Sequence, residues 1–194
     1  MYSGNHKSYS SIWPIVRRHL ATTLPYLNLK RIFNILLSLY EKRVNRIIVK
    51  SRPYFIKIEP TNKCNLRCKG CLHAADREEL KAAGKLGDMD FGLFKSIIDD
   101  LEPYLVKVSL YSMGEPFIYP KILDMIAYLD ERKIGSVISS NLNFMTPELA
   151  EGIVRNRLTH LIVSLDGYDE ESYDRYRQGG SFARVVENLK MIQA

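Results

Sequence analysis

The sequence runs to 194 residues, 46% of them hydrophobic and 26% charged, with a net charge of +6. That composition suits a soluble globular protein of about one domain plus an appendage, with material for a real core. Its three cysteines are odd in number and sit within one eight-residue stretch, which excludes a disulfide-stapled secreted scaffold and points to a reducing compartment.

The charge is uneven. Residues 1–50 carry nine basic residues against one acid, Glu41, a net +8, while the remainder nets −2. Such an arm suits an anionic membrane surface or another acidic partner; the plainer reading is a basic helix solvated on one face and packed through the other. Residues 1–10 are polar and expected to be disordered, and no apolar core with a small-residue cleavage site marks a signal peptide. Helices are expected within 11–24 and 27–50. In the second, Leu29, Ile32, Phe33, Leu36 and Tyr40 recur at helical spacing with Lys30, Arg31, Asn34, Glu41 and Lys42 between them, the pattern of an amphipathic helix. Its most apolar part, RIFNILLSLYEK, is broken by Asn34 and Ser38 and falls far short of the roughly 20 residues a spanning helix needs. Pro53 then pushes Arg52 into extended geometry and closes an N-terminal segment of residues 1–52.

Over residues 53–194 strands and helices alternate. Strands are expected at 54–60, 105–111, 135–141 and 159–167. Between them lie helices at 90–101 with Asp90 as N-cap, at 120–133 stopping near Gly135, and at 146–156 with Thr146 as N-cap and Pro147 in the first turn. A last helix begins at Ser181. Strands separated by helices imply right-handed parallel βαβ units, here four, too few to close an eight-stranded barrel. The fold class is therefore α/β, with parallel strands curving as part of a barrel.

Cys64, Cys68 and Cys71 follow the first strand with Cys-x3-Cys-x2-Cys spacing. Zinc needs a closed tetrahedral set, and His73 would complete Cys3His. An iron–sulfur cluster usually takes four thiolates, so three leave one iron open for chemistry. The cysteines alone leave both readings open, with unligated thiols a third. The later strand ends favour the cluster. Gly114, Glu115 and Pro116 follow the second strand; Ser139, Ser140 and Asn141 end the third; Ser164, Asp166 and Gly167 end the fourth. Loops after the carboxyl ends of parallel strands build the ligand site, so these groups should converge on one rim, which a structural zinc knot does not require.

Together these motifs resemble the radical S-adenosylmethionine (radical SAM) enzymes, most of all those with a downstream SPASM-type extension, over about residues 53–194. The resemblance implies a TIM-like (β/α) partial barrel behind N-terminal helices, with a [4Fe–4S] cluster on Cys64, Cys68 and Cys71. It implies S-adenosyl-L-methionine on the fourth iron, cleaved reductively to a 5′-deoxyadenosyl radical that abstracts a substrate hydrogen. Gly114 and Glu115 match the end of the family's Gly-Gly-Glu motif, which holds the methionine ammonium. Ser164 matches the position that meets the ribose hydroxyls, Arg177 resembles the arginine that pairs with the methionine carboxylate, and Asn141 joins them as a cofactor contact. A one-electron donor such as flavodoxin or ferredoxin is implied, and the oxygen lability of such clusters implies the cytoplasm.

Each position has a plain counterpart: Glu115 a solvated acid, Asp166-Gly167 a turn, Arg177 a surface helix residue, Asn141 a strand-end cap. The sequence also departs from the family. Gly70 stands where an aromatic usually precedes the last cysteine, Met113 replaces the first glycine of Gly-Gly-Glu, and the auxiliary-cluster cysteines are absent. Four units against the family's six give the expectation of an incomplete core. The rival expectations are a catalytically inactive fragment and a zinc-binding interaction module. No aromatic-plus-basic pattern signals nucleic-acid readout, and the substrate is not written in these residues.

Overall fold

The computed structural model describes residues 12–193, except the side chains of Leu72 and His73. Residues 1–10, the arm expected to be disordered, and the His73 imidazole, the expected fourth zinc ligand, thus lie outside the described residues.

The chain opens with α1 (Trp13–Ala21), a 3-10 turn (Leu24–Tyr26) and α2 (Leu29–Arg43). β1 (Phe55–Lys57) feeds the cysteine loop, where α3 (Leu72–Ala75) and α4 (Arg77–Ala82) form before α5 (Phe91–Leu101). Next come β2 (Lys107–Ser109), a 3-10 turn (Pro116–Ile118), α6 (Ile122–Glu131), β3 (Gly135–Ser140) and α7 (Pro147–Arg155). β4 (His160–Val163), α8 (Glu170–Asp174) and α9 (Phe182–Gln193) follow. The strands form one sheet in the order β1-β2-β3-β4, every pair parallel. This is the expected partial TIM-like barrel, with the loops after the strands on a common rim.

The helices start where the sequence provides acceptors for free N–H groups. Asp90 accepts from Leu93 N at 2.8 Å and Thr146 from Leu149 N at 3.2 Å, with Pro147 in the first turn. Phe94 and Ile98 of α5, Met125, Ile126 and Leu129 of α6, and Ile153 of α7 pack with Val108, Leu110 and Ile138. Each such side chain contributes roughly 1.5–3 kcal/mol by leaving water. α6 ends earlier than expected, because Lys133 takes the left-handed turn at φ 53°. Gly135 instead opens β3 where a Cβ would come within 3.1 Å of the Tyr26 ring.

The N-terminal segment covers the floor, the end where the strands begin. Lys107, at the start of β2, donates from Nζ to Thr22 Oγ1 at 2.8 Å, and Tyr26 OH meets Thr159 Oγ1, just before β4, at 2.7 Å. α2 is amphipathic, but it sits the opposite way round from the usual amphipathic packing. Leu29, Ile32, Phe33, Leu36 and Tyr40 are exposed, while Arg31, Asn34 and Glu41 are at most 4% exposed. The cause is a set of backbone groups that only polar side chains can satisfy. Arg31 donates to the carbonyls of Tyr26 (2.7 Å), Lys133 (2.5 Å) and Glu102 (3.2 Å), placing its charge at the C-terminal ends of α5 and α6. Asn34 exchanges two hydrogen bonds of 2.9 Å with the backbone of Arg52. Glu41 accepts from Lys50 N at 2.7 Å and Ser51 N at 3.1 Å. Among the described residues no helix is long and apolar enough to cross a membrane.

Arg31→Met should lower stability in urea unfolding by about 3 kcal/mol, because several buried carbonyls lose their donor, and Arg31→Lys should recover less than half. The backbone N–H of Lys50, foremost, holds the Glu41 carboxyl below its ordinary range. Its contribution is therefore full above that range and vanishes as pH falls through the lowered value. Protection of the Lys50 and Ser51 amides against exchange should fall in acid and become insensitive to that step in Glu41→Gln.

Candidate active site

The three thiols are free and half-buried on the loop after β1. Their loop is held from the far side of the rim: Arg67 N donates to Gln178 O and Lys69 N to Tyr176 O, both at 2.9 Å. Gly70 has a φ of +75°, a conformation that side chains resist, which accounts for a glycine where the family carries an aromatic. Burial pushes the thiols of Cys64 and Cys68 above the ordinary value, although Arg177 pulls Cys68 the other way. Metal binding there must release protons.

Glu115 is buried rather than solvated, at 3% exposure. Its Oε1 accepts from Ser140 Oγ at 2.7 Å and Phe117 N at 3.1 Å, and its Oε2 from Asn141 N at 2.8 Å. Burial raises its carboxyl pKa against the downward pull of these donors. Its own N–H donates to Lys63 O at 2.8 Å, so the cysteine loop runs directly over this turn. That approach is why residue 114 is glycine: a Cβ would lie 2.1 Å from Thr61 O and 2.7 Å from Lys63 O.

Asn141 does more than cap β3. Its Nδ2 donates to Asn65 Oδ1 at 2.8 Å and lies 3.9 Å from Cys64 Sγ. Ser164 Oγ pairs with Ser139 Oγ at 3.3 Å. Arg177 is no surface residue: its Nη1 approaches Cys68 Sγ at 3.7 Å, and its Nε and Nη2 both donate to Asp166 Oδ2, the first at 2.6 Å. Asp166-Gly167 is more than a turn, since a Cβ on Gly167 would fall 2.6 Å from the backbone of Tyr173.

A cavity of about 200 Å³ is lined by Cys64, Cys68, Cys71, Gly114, Glu115, Ser139, Asn141, Ser164 and Arg177 together. A second, of about 390 Å³, shares Cys68 and Cys71 with it. The expected cluster and cofactor residues thus border one concavity, whereas Pro116, Ser140, Asp166 and Gly167 of the same rim do not line it. Among the described residues no three His, Cys, Asp or Glu side chains are gathered tightly enough for a single metal ion.

Two supports escaped the sequence reading. Glu59 Oε1 accepts from Met113 N at 2.6 Å and Gly114 N at 3.0 Å. Its signal was an acid at the end of the first strand, in line with the other rim groups. Asn143 donates to Tyr173 OH at 2.7 Å and accepts from Ser181 N at 2.7 Å, joining the β3 end to α8 and α9. No local pattern announces that link.

Sheet, rim and thiol loop define a radical SAM core. The sequence model of the Radical SAM superfamily matches residues 58–194, more than half of the chain, and the chain belongs to that superfamily. Its cofactors are a [4Fe–4S] cluster and S-adenosylmethionine. A tungsten-containing aldehyde ferredoxin oxidoreductase cofactor-modifying protein of Pyrococcus furiosus is 32% identical over 58% of this chain and 30% of its own length. The mycofactocin maturase MftC of Mycobacterium tuberculosis is 30% identical over 73% of this chain and 35% of its own. Among solved structures, Streptococcus suis SuiB bound to S-adenosylmethionine superposes with a TM-score of 0.61 at 20% identity, over 81% of this chain and 35% of that one. The chain spans 30–41% of the length of the first curated relatives it matches.

Gly114→Ala should cost about 3 kcal/mol, since backbone rather than a yielding side chain blocks the methyl. Glu115→Gln should cost about 2 kcal/mol by turning an amide donor toward N–H and O–H donors. Thermal unfolding measures both, and unchanged midpoints in both would refute this account of the turn.

Proposed function

We propose that this chain binds a [4Fe–4S] cluster through Cys64, Cys68 and Cys71 and S-adenosylmethionine beside it, and initiates radical chemistry on a substrate. The observation that carries the reading is the convergence of three free thiols with Glu115, Asn141, Ser164 and Arg177 on one cavity at the strand ends. The donor set fits. Zinc–sulfur bonds of about 2.3 Å would draw thiolates onto a single tetrahedron. Three thiolates suit a cubane, which they would leave with one open iron.

The protein's residues then orient and select. Glu115 uses three of the roughly four acceptor positions of a carboxylate, which leaves one for an ammonium group, and Gly114 fixes its approach. Arg177 offers a guanidinium fork to a ligand carboxylate once Asp166 gives way. Ser164, on Ser139, presents a hydroxyl for a sugar. The chemistry supplied by the bound cofactors is one-electron cleavage of the sulfonium to methionine and a 5′-deoxyadenosyl radical, which takes a hydrogen atom from substrate. The protein's part is positioning and exclusion of side reactions. A one-electron donor of the flavodoxin or ferredoxin kind supplies the reductant.

Anaerobic reconstitution with iron and sulfide should give a brown protein with a cubane signal in electron paramagnetic resonance after reduction. Dithionite and S-adenosylmethionine should then yield 5′-deoxyadenosine. Replacing any one of the three cysteines with alanine should abolish the product. A colourless protein holding one zinc overturns the reading; a loaded cluster without 5′-deoxyadenosine makes this chain an inactive cluster carrier.

A further inference from the structure

Among the described residues, 16 of the 26 exposed large apolar side chains lie within residues 12–49, the segment that covers the barrel floor. On α2 the outward face is Leu29, Ile32, Phe33, Leu36, Leu39 and Tyr40, because the polar face turns inward, Arg31 onto the barrel's helix ends and Asn34 and Glu41 onto the backbone of residues 50–52. Beyond the helix, Ile47 and Ile48 are 99% and 81% exposed, and Trp13 of α1 is 67% exposed. The surrounding charge has one sign. Arg17, Arg18, Lys42, Arg43, Arg46 and Lys50 are exposed, whereas Glu41, the segment's one acid, is buried against backbone N–H groups. Among the described residues 12–50, then, the solvent-facing surface is apolar and cationic with no exposed acid.

We infer that this face docks on an anionic lipid bilayer, with α2 lying in the headgroup plane. An apolar helix face with aromatics beside Lys and Arg is the pattern of an interfacial helix. A second copy of the chain is a poor occupant, since a two-fold contact through this face would set its cations against their own images. A nucleic acid would meet the cations but leave Phe33, Leu36 and Ile47 without partners. Lipid satisfies both. The inference stands independently of the cofactor reading.

The test is sedimentation of the 194-residue chain with vesicles of phosphatidylcholine alone, or with about one third phosphatidylglycerol. Partition into the anionic vesicles should be at least about tenfold stronger and should weaken as salt is raised. Phe33→Glu with Leu36→Glu should reduce it at least about tenfold without moving the unfolding midpoint, because both side chains face solvent. Lys42→Ser, Arg43→Ser and Arg46→Ser together should weaken it by roughly fivefold per charge, on the order of 100-fold in all. Absence of partition, equal partition into both vesicle types, or partition untouched by the glutamate pair overturns the inference. So does a dimer in light scattering that the glutamate pair splits, which would give the face to a second copy.

Discussion

A buried carboxylate needs donors, and Glu115 takes three of them from separate parts of the rim, keeping one acceptor position open. Through it the end of β3 is joined to the turn after β2, while its backbone N–H holds the loop that carries the thiols. Removing the side chain would leave buried donors at Ser140, Asn141 and Phe117 with nothing to point at, each a penalty of about 1–3 kcal/mol. Gly114 belongs to the same device, because only a residue without Cβ lets the carbonyls of Thr61 and Lys63 approach. The spacing between thiols and strand ends is therefore set by packing of the backbone against one side chain.

Around this centre the rim is stitched by polar contacts that cross long stretches of chain. Asn141 reaches Asn65, Arg177 reaches Cys68, and the amides of Arg67 and Lys69 reach carbonyls beyond α8. Glu59 steadies the turn from below. The thiols sit on a loop whose few internal hydrogen bonds do not fix it alone, so its neighbours supply the rigidity. A site of this kind is preorganised by its surroundings.

Much of this was legible in the sequence where local chemistry decides the outcome. Asp90 and Thr146 start helices because their side chains accept from N–H groups three residues on, and strand–helix alternation implies a parallel sheet. Rim residues could be named because parallel strands deliver their ends to one side. What stayed illegible was decided at a distance. β1 spans only Phe55–Lys57, because Glu59 and Pro60 leave the sheet to serve Met113, Gly114 and Met89. The periodicity of α2 shows that its two faces differ, but not which one turns inward. That choice rests with carbonyls at 102, 132 and 133, some 70 to 100 residues away. Likewise Asp166 and Arg177 meet only because α8 folds back between them.

The guanidinium of Arg31 reads the strand beginnings, and the thiols occupy the strand endings; in a parallel sheet these are opposite poles of the molecule. Whatever the underside rests upon, the mouth looks the other way. Docked through its floor as inferred above, the molecule would hold the thiol-lined cavity on the side turned away from the bilayer.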